Sequence, residues 1–400
     1  MSDLPSSSLR FFAARRFFPL FLTQLLGAFN DNVLKCAFTL LATFHFSRTH
    51  GWNPAISTQL IAALFVLPFF LFSAHAGQLA DKFDKARLVV LAKIWELLAM
   101  ALGSAALLAA SPWLLAVTLF LLGAQAAFFG PLKYALLPQH LRENELLAGN
   151  ALVEAATYIA ILAGTVAGGR LVLDASGNPS PLPVCVILLT CSLAGLLSAL
   201  RIPPAPSENP SLKLNPNLLS ATAALLKNAS RNGPVFRSIL GISWFWLIGA
   251  FWLTLTPAFV SNHLRGDAGD VTALLLLFAL GIGAGSLLCN KLLRGEVSAK
   301  FVPLAGIAGS LFMADAAVLA ATLGDRFANG GFSLASPAGL RLSVDLAGIA
   351  VAGGVFSVPL YALMQRHSAP THRSRMVAAN NILNALFMAA AAALAAALFA

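Results

Sequence analysis

The chain has 400 residues, of which 58% are hydrophobic and only 10% charged, where a soluble globular protein carries roughly a quarter charged residues; this excludes an ordinary soluble domain and assigns the chain to a membrane. Lys and Arg number 26 against 16 Asp and Glu, a net charge of +10, and the cations are spread between long apolar runs rather than gathered on a polar domain, which excludes a nucleic-acid binder. Cys36, Cys185, Cys191 and Cys289 lie in apolar stretches without metal-ligand or disulfide spacing and read as small hydrophobes.

A run of about 20 apolar residues matches a hydrocarbon core of about 30 Å, and in lipid the backbone must satisfy its own hydrogen bonds, so each run predicts a helix. Eleven follow in chain order, over 18–46, 57–80, 88–110, 112–136, 149–173, 182–201, 236–262, 271–294, 300–323, 341–366 and 374–400. The first is too long for a cleavable signal and holds Asn30, Asp31, Asn32 and Lys35 in its middle, so it is expected to stay as a helix. With the N-terminus in the cytoplasm, eighteen Lys and Arg fall on that side and five on the other, while Lys35, Lys93 and Lys133 lie within or at the ends of spans. That excess predicts an N-terminus inside.

The longest polar break, with Pro203, Pro204, Pro206, Pro210 and Pro216, follows six spans. It divides the chain into a six-helix half over 1–201, a cytoplasmic linker over 202–235 and a second half over 236–400. Within the linker, 217–228 is apolar on one face and predicts an interfacial amphipathic helix. The second half shows five spans, and Ala400 falls outside within an Ala-rich helix, so a twelfth span is expected to follow. The expected fold is an all-α polytopic bundle of two six-helix repeats. Such a plan resembles the major facilitator superfamily, whose repeats hold the substrate between them.

Between the second and third spans runs Gly77-Gln78-Leu79-Ala80-Asp81-Lys82-Phe83-Asp84-Lys85-Ala86-Arg87, which resembles that superfamily's signature loop with Asp84 in place of the usual Gly. Gly77 permits close helix approach, Asp81 can accept from the N-terminal end of a neighbouring helix and from a cation, and Lys85 and Arg87 remain cytoplasmic. The resemblance implies a gating role; the alternative is a solvated charge run. At the equivalent place in the second half, Asn290 to Gly295 is at most a vestige.

Asp31 and Lys35 share a helical face four residues apart, and Lys133 in the fourth span is a second partner for Asp31 across helices. Charges deep in a bilayer turn toward the bundle interior or a water-filled cavity. The group is either a functional cluster or a self-neutralising lock between helices. Asn150, Glu154 and Tyr158 form a polar stripe at spacings of four, with Glu154 the acidic candidate for a cavity or an element of helix packing. Asn380, Asn381 and Asn384, with Ser357, Tyr361 and Gln365, can bind a polar head or satisfy one another. Lys93 and Glu96 read as structural, and Trp244, Trp246 and Trp252 as lipid-facing. No metal site, cofactor or catalytic residue is predicted: the histidines form no metal pair, there is no G-x-x-x-x-G-K-[ST] for ATP, and no His-x-x-x-x-Asp of an acyltransferase.

Taken in order, Gly27 to Asn32, Phe129 to Tyr134, Asn150 to Ala155, Gly164 to Gly169, Trp244 to Trp246 and Val358 to Gln365 resemble the bacterial lysophospholipid transporter family. The resemblance implies a flippase that brings lysophosphatidylethanolamine and lysophosphatidylglycerol to the inner leaflet of the inner membrane, where a partner acyltransferase and acyl carrier protein synthetase, fused to the transporter in many genomes, re-acylate them. On the residues alone, Asp31 and Glu154 suit an ammonium and Lys35 and Lys133 a phosphate. A carrier of other amphipathic solutes, including drug efflux, and a non-transporting platform for an acyltransferase fit the same composition.

Overall fold

The computed structural model describes residues 11–174, 177–260, 268–323 and 336–399. Arg265 and Arg326, two of the five cations assigned to the far side, and the outer ends of the adjoining spans lie outside the described residues.

The first half consists of α1 (Phe18–Leu40), α2 (Pro54–Lys82), α3 (Lys85–Leu108), α4 (Pro112–His140), α5 (Glu143–Leu171) and α6 (Pro181–Ala199). A short helix, α7 (Leu218–Arg231), lies in the linker. The second half holds α8 (Gly233–Phe259), α9 (Ala268–Leu292), α10 (Val302–Leu323), α11 (Pro337–His367) and α12 (Arg373–Phe399). Ten of these helices are long and apolar enough to cross a membrane. To them α1 adds a further 23-residue helix, its apolar run diluted by Gln24, Asn30, Asp31, Asn32 and Lys35.

The helices extend past the apolar runs because caps, not hydropathy, end them. Asp84 caps α3, its Oδ1 accepting from the Arg87 backbone N–H at 2.9 Å. At the start of α5 the Glu145 side chain reaches back to accept from the Arg142 N–H at 2.8 Å, so the helix begins six residues before the predicted span at 149. Beyond Leu40, α1 continues through a π-helical stretch, Leu41–Phe46. There the hydroxyls of Thr39, Thr43 and Ser47 each donate to the carbonyl four residues earlier.

Glycine decides where helices touch. A Cβ on Gly164 or Gly168 of α5 would run into the carbonyl oxygens of Phe29 and Val33 on α1, so those backbones lie in direct contact. Between the halves, α2 packs on α12, α5 on α9 and α11, and α4 on α12, whereas α1 and α8 are not a packed pair among the described residues. In the first half α6 packs against both α1 and α3. The corresponding faces of α8 and α10 border a cavity of about 210 Å³ lined by Trp244, Phe278, Gly306, Gly309, Met313 and Phe356, among others.

The expected linker helix is present: Asn217 caps α7 by accepting from the Ser220 N–H at 2.9 Å, Ala221, Leu225 and Ala229 turn onto α2, α8 and α12, and Leu218 and Leu219 remain exposed.

Candidate functional site

Two groups of polar residues stand out in this otherwise apolar bundle: a cluster where α2 meets α12, and a set of ionisable side chains deeper between the helices. In the first, Asp81 near the end of α2 is fully buried; its Oδ1 accepts from the Ser374 N–H at 3.0 Å and its Oδ2 from Arg375 Nε at 2.8 Å. The carboxylate thus caps the positive end of α12 and pairs with a cation of the opposite half. A Cβ on Gly77 would lie 2.8 Å from the Ala378 Cβ and 3.0 Å from the Arg375 Cα, which is why only glycine fits there. Both features agree with the expectation from the loop. Arg87 does not join them: its side chain is exposed, and its backbone N–H serves the Asp84 cap. Lys85 is buried and pairs at 3.1 Å with Glu208, a linker residue that no motif singled out.

Next to this cluster, three contacts join α4 and α5 to α11. The amides of Asn150 and Gln365 exchange hydrogen bonds of 2.8 and 3.0 Å. The rings of Tyr134 and Tyr361 stack with centroids 4.6 Å apart and planes 9° apart. At the rim, Arg366 pairs with Glu143 at 2.9 Å. The end of the bundle that carries the basic loops is therefore closed.

Beyond the stacked tyrosines, the predicted Asp31 pair is not formed. No ion pair within 4 Å joins Asp31 to Lys35 or Lys133, and Asp31 Oδ1 is buried with no hydrogen-bond partner. Each lysine instead lies over an aromatic ring: Lys35 Nζ is 5.3 Å from the centre of Phe65 on α2, and Lys133 Nζ is 4.7 Å from that of Tyr134. Lys133 still sits within the fields of both Asp31 and Glu154. No ion pair therefore joins any two of Asp31, Lys35, Lys133 and Glu154.

Glu154, 1% exposed, accepts from the Tyr134 hydroxyl at Oε1, while its Oε2 is buried and unpartnered. Tyr158, one turn further, stacks on Trp246 of α8 at 6.0 Å, and Trp246 Nε1 donates to the Tyr361 hydroxyl at 3.0 Å. Trp246 is thus part of the core, correcting its assignment to lipid, whereas Trp244 is 54% exposed as expected. On α12, both side-chain polar atoms of Asn380 and the Nδ2 of Asn381 are buried without a partner, and Gly130 of α4 lies against the Asn381 amide. Asn384 accepts from Ser243 at 2.8 Å.

Lys93 and Glu96 form the closest buried ion pair of the first half, 2.5 Å at 0% and 1% side-chain exposure, supported by Gln125 at 3.3 Å. A Cβ on Gly27 would meet Lys93 Nζ at 2.8 Å and one on Gly195 would meet its Cε at 3.1 Å, so glycines of α1 and α6 make room for the lysine. The structural reading holds for their contact, yet Glu96 also bears on Asp31 through its charge. The signal that could have placed them beside Asp31 is the pair of glycines facing a lysine, which is visible only once the helices are packed. Among the described residues no group of three or more His, Cys, Asp or Glu could hold a metal ion.

A bundle of two helical repeats, closed at one end by an Asp-capped helix and holding unpaired charges at its centre, has the form of a secondary transporter. Residues 20–393 match the profile of the Major Facilitator Superfamily. The chain is 31% identical over 352 residues to the protein named lysophospholipid transporter LplT of Escherichia coli strain IAI39, covering 86% of this chain and 78% of that one. The counterpart in strain UTI89 is 30% identical over the same length. Among solved structures, the human organic anion transporter MFSD10 superposes with a TM-score of 0.70 at 16% identity, over 94% of this chain and 91% of that one. A bacterial homologue of the iron transporter ferroportin in its outward-facing state gives 0.63 at 15% identity, over the same shares. The chain belongs to the lysophospholipid transporter family of the major facilitator superfamily. It is accordingly a multi-pass membrane protein.

Proposed function

We propose that this protein carries lysophospholipids across the bacterial inner membrane to the inner leaflet by alternating access, with its N-terminus in the cytoplasm and the Asp81 gate on that side. The observation that carries the reading is the set of Asp31, Lys35, Lys133 and Glu154 with no ion pair among them. A zwitterionic or anionic head supplies each of these side chains with the contact partner that it lacks, the carboxylates taking an ammonium and the lysines a phosphate. Tyr158, Tyr361, Asn380 and Asn381 complete the site. In the second half, Phe245, Phe278, Ile282 and Ile349 form an apolar core against which one acyl chain can lie. The names of the relatives favour this substrate over a drug. Delivery to the inner leaflet places the product where an acyltransferase with its acyl carrier protein synthetase restores the second chain.

Uptake of labelled lysophosphatidylethanolamine into proteoliposomes, compared with a cationic dye, tests the substrate. Equal transport of the two, or of the dye alone, would overturn it. Asp81→Ala should reduce turnover without weakening substrate binding, because the carboxylate holds one of two arrangements and touches no substrate. Wild-type turnover in that variant would remove the gate assignment.

A further inference from the structure

The linker between the halves begins, before α7, as a stretch of prolines and scattered polar residues. Its placement is more specific. The Asp81 carbonyl accepts from Ser207 Oγ at 2.9 Å and from the Asn209 N–H at 3.2 Å. The Lys85 N–H donates to the Ala205 carbonyl at 2.9 Å, and the Ala205 N–H donates to Asp84 Oδ2 at 3.1 Å. Further along, the Asn215 N–H donates to Gln78 Oε1 at 2.7 Å. Residues 205–215 are thus stitched to the ends of α2 and α3, and they belong mechanically to the first half. Asp84, the departure from the signature loop, is one of the stitches.

From that seat Glu208 reaches both halves. Its Oε2 lies 3.1 Å from Nζ of Lys85, a lysine with no side-chain exposure, and its Oε1 lies 3.3 Å from Nη1 of Arg373, the first residue of α12, itself 11% exposed. The segment also donates from Asn209 Nδ2 to the Thr371 carbonyl, just before α12, at 3.5 Å. Lys85 and Glu208 thus sit with the first half, and Arg373 with the second.

We propose that Glu208 is a latch of the gate: a linker carboxylate that binds Arg373 only when this end is closed, and so sets the balance between closed and open arrangements alongside Asp81. Asp81 holds the helix end and Arg375, while Glu208 holds Arg373 two residues nearer the start of the helix. The buried Lys85 anchors the carboxylate to the first half, so that opening breaks only one of the two ion pairs of Glu208.

The test reads the gate directly and does not depend on the substrate. In the full chain with the four native cysteines replaced by serine, Met376→Cys places a thiol at a buried position of α12 inside the gate. Its modification by a membrane-impermeant maleimide, supplied from the loop side, measures opening. Glu208→Gln should raise the rate on the order of threefold to tenfold, the range for loss of a partly exposed charge-assisted contact. Arg373→Gln should raise it equally, and the two together should do no more than either alone. Because Glu208→Gln leaves Lys85 buried without a counterion, Glu208→Gln with Lys85→Met removes both charges and keeps the test valid if the single variant folds poorly. Unchanged rates in the single and double variants, or independent, multiplying effects of Glu208→Gln and Arg373→Gln, would overturn the latch.

Discussion

The two halves share a helical plan and differ in what they bury. Within its spans the first half buries Lys93, Glu96, Gln125 and Glu154, with Asp31, Lys35 and Lys133 half-buried, whereas the second buries the acid Asp345 and the amides of Gln365, Asn380, Asn381 and Asn384 beside a cluster of Phe245, Leu274, Phe278, Ile282, Leu346 and Ile349. Charges inside a membrane bundle are costly and are kept where they act. A symmetric solute has no use for such a division; a molecule with a charged head and one apolar chain does. The loops show the same asymmetry. Asp81 of the first half caps α12, while at the matching turn of the second half Gly295, at φ +79°, meets the Asn144 carbonyl and offers no carboxylate.

Within the polar half, the charges divide into those in contact and those that are not, and breaking each kind has a different consequence. Lys93→Met leaves Glu96 buried without its ion pair, and the expected loss is about 3 to 5 kcal/mol of stability, milder when Glu96→Gln is added. Thermal unfolding in detergent measures both. Equal stability of Lys93→Met and the parent would show that the pair is not structural.

Asp31→Asn and Lys133→Gln sharpen the contrast, since neither residue has an ion pair to lose. Each should fold normally and yet reduce uptake of lysophosphatidylethanolamine by about tenfold to a hundredfold, the worth of a charge-assisted hydrogen bond of about 1.5 to 3 kcal/mol. Normal uptake with lowered stability would reverse the assignment and make them packing elements. The double neutral variant should remain inactive, because a head group, not a mutual contact, uses the two charges.

Much of this was legible before any coordinates. Hydropathy placed the helices because the bilayer imposes their length, and the Gly77 to Asp81 spacing placed the contact with α12 because a helix end and a close approach need those two residues. The partners of the buried charges were not legible. The four-residue spacing of Asp31 and Lys35 permits a pair, but Phe65 on α2 draws the lysine away. Trp246 differs from Trp244 only by two positions along α8, a rotation of about 200° at 3.6 residues per turn, and hydropathy alone does not say which of the two faces the bundle. Glu208 sits in the proline-rich stretch of the linker before α7, which has no periodicity to read, and its contacts depend on where the chain folds back.

The smallest expected effect probes the meeting of the two halves. Trp246→Phe keeps a ring against Tyr158 but removes the donor that reaches the Tyr361 hydroxyl at 3.0 Å. Tyr361 is 1% exposed and stacked on Tyr134, so it stays in place and loses one hydrogen bond. A neutral bond of this kind contributes about 1 kcal/mol, or roughly a fivefold change in apparent affinity. Because Trp246 carries no charge, the change should be the same for lysolipids with ethanolamine and with glycerol heads, whereas Lys133→Gln acts on the phosphate side of the site. Uptake measured against substrate concentration for the two lipids separates these outcomes. A Trp246→Phe variant that alters the preference between heads would show that Trp246 itself bears on the head group, and its role as a support for Tyr361 would have to be redrawn.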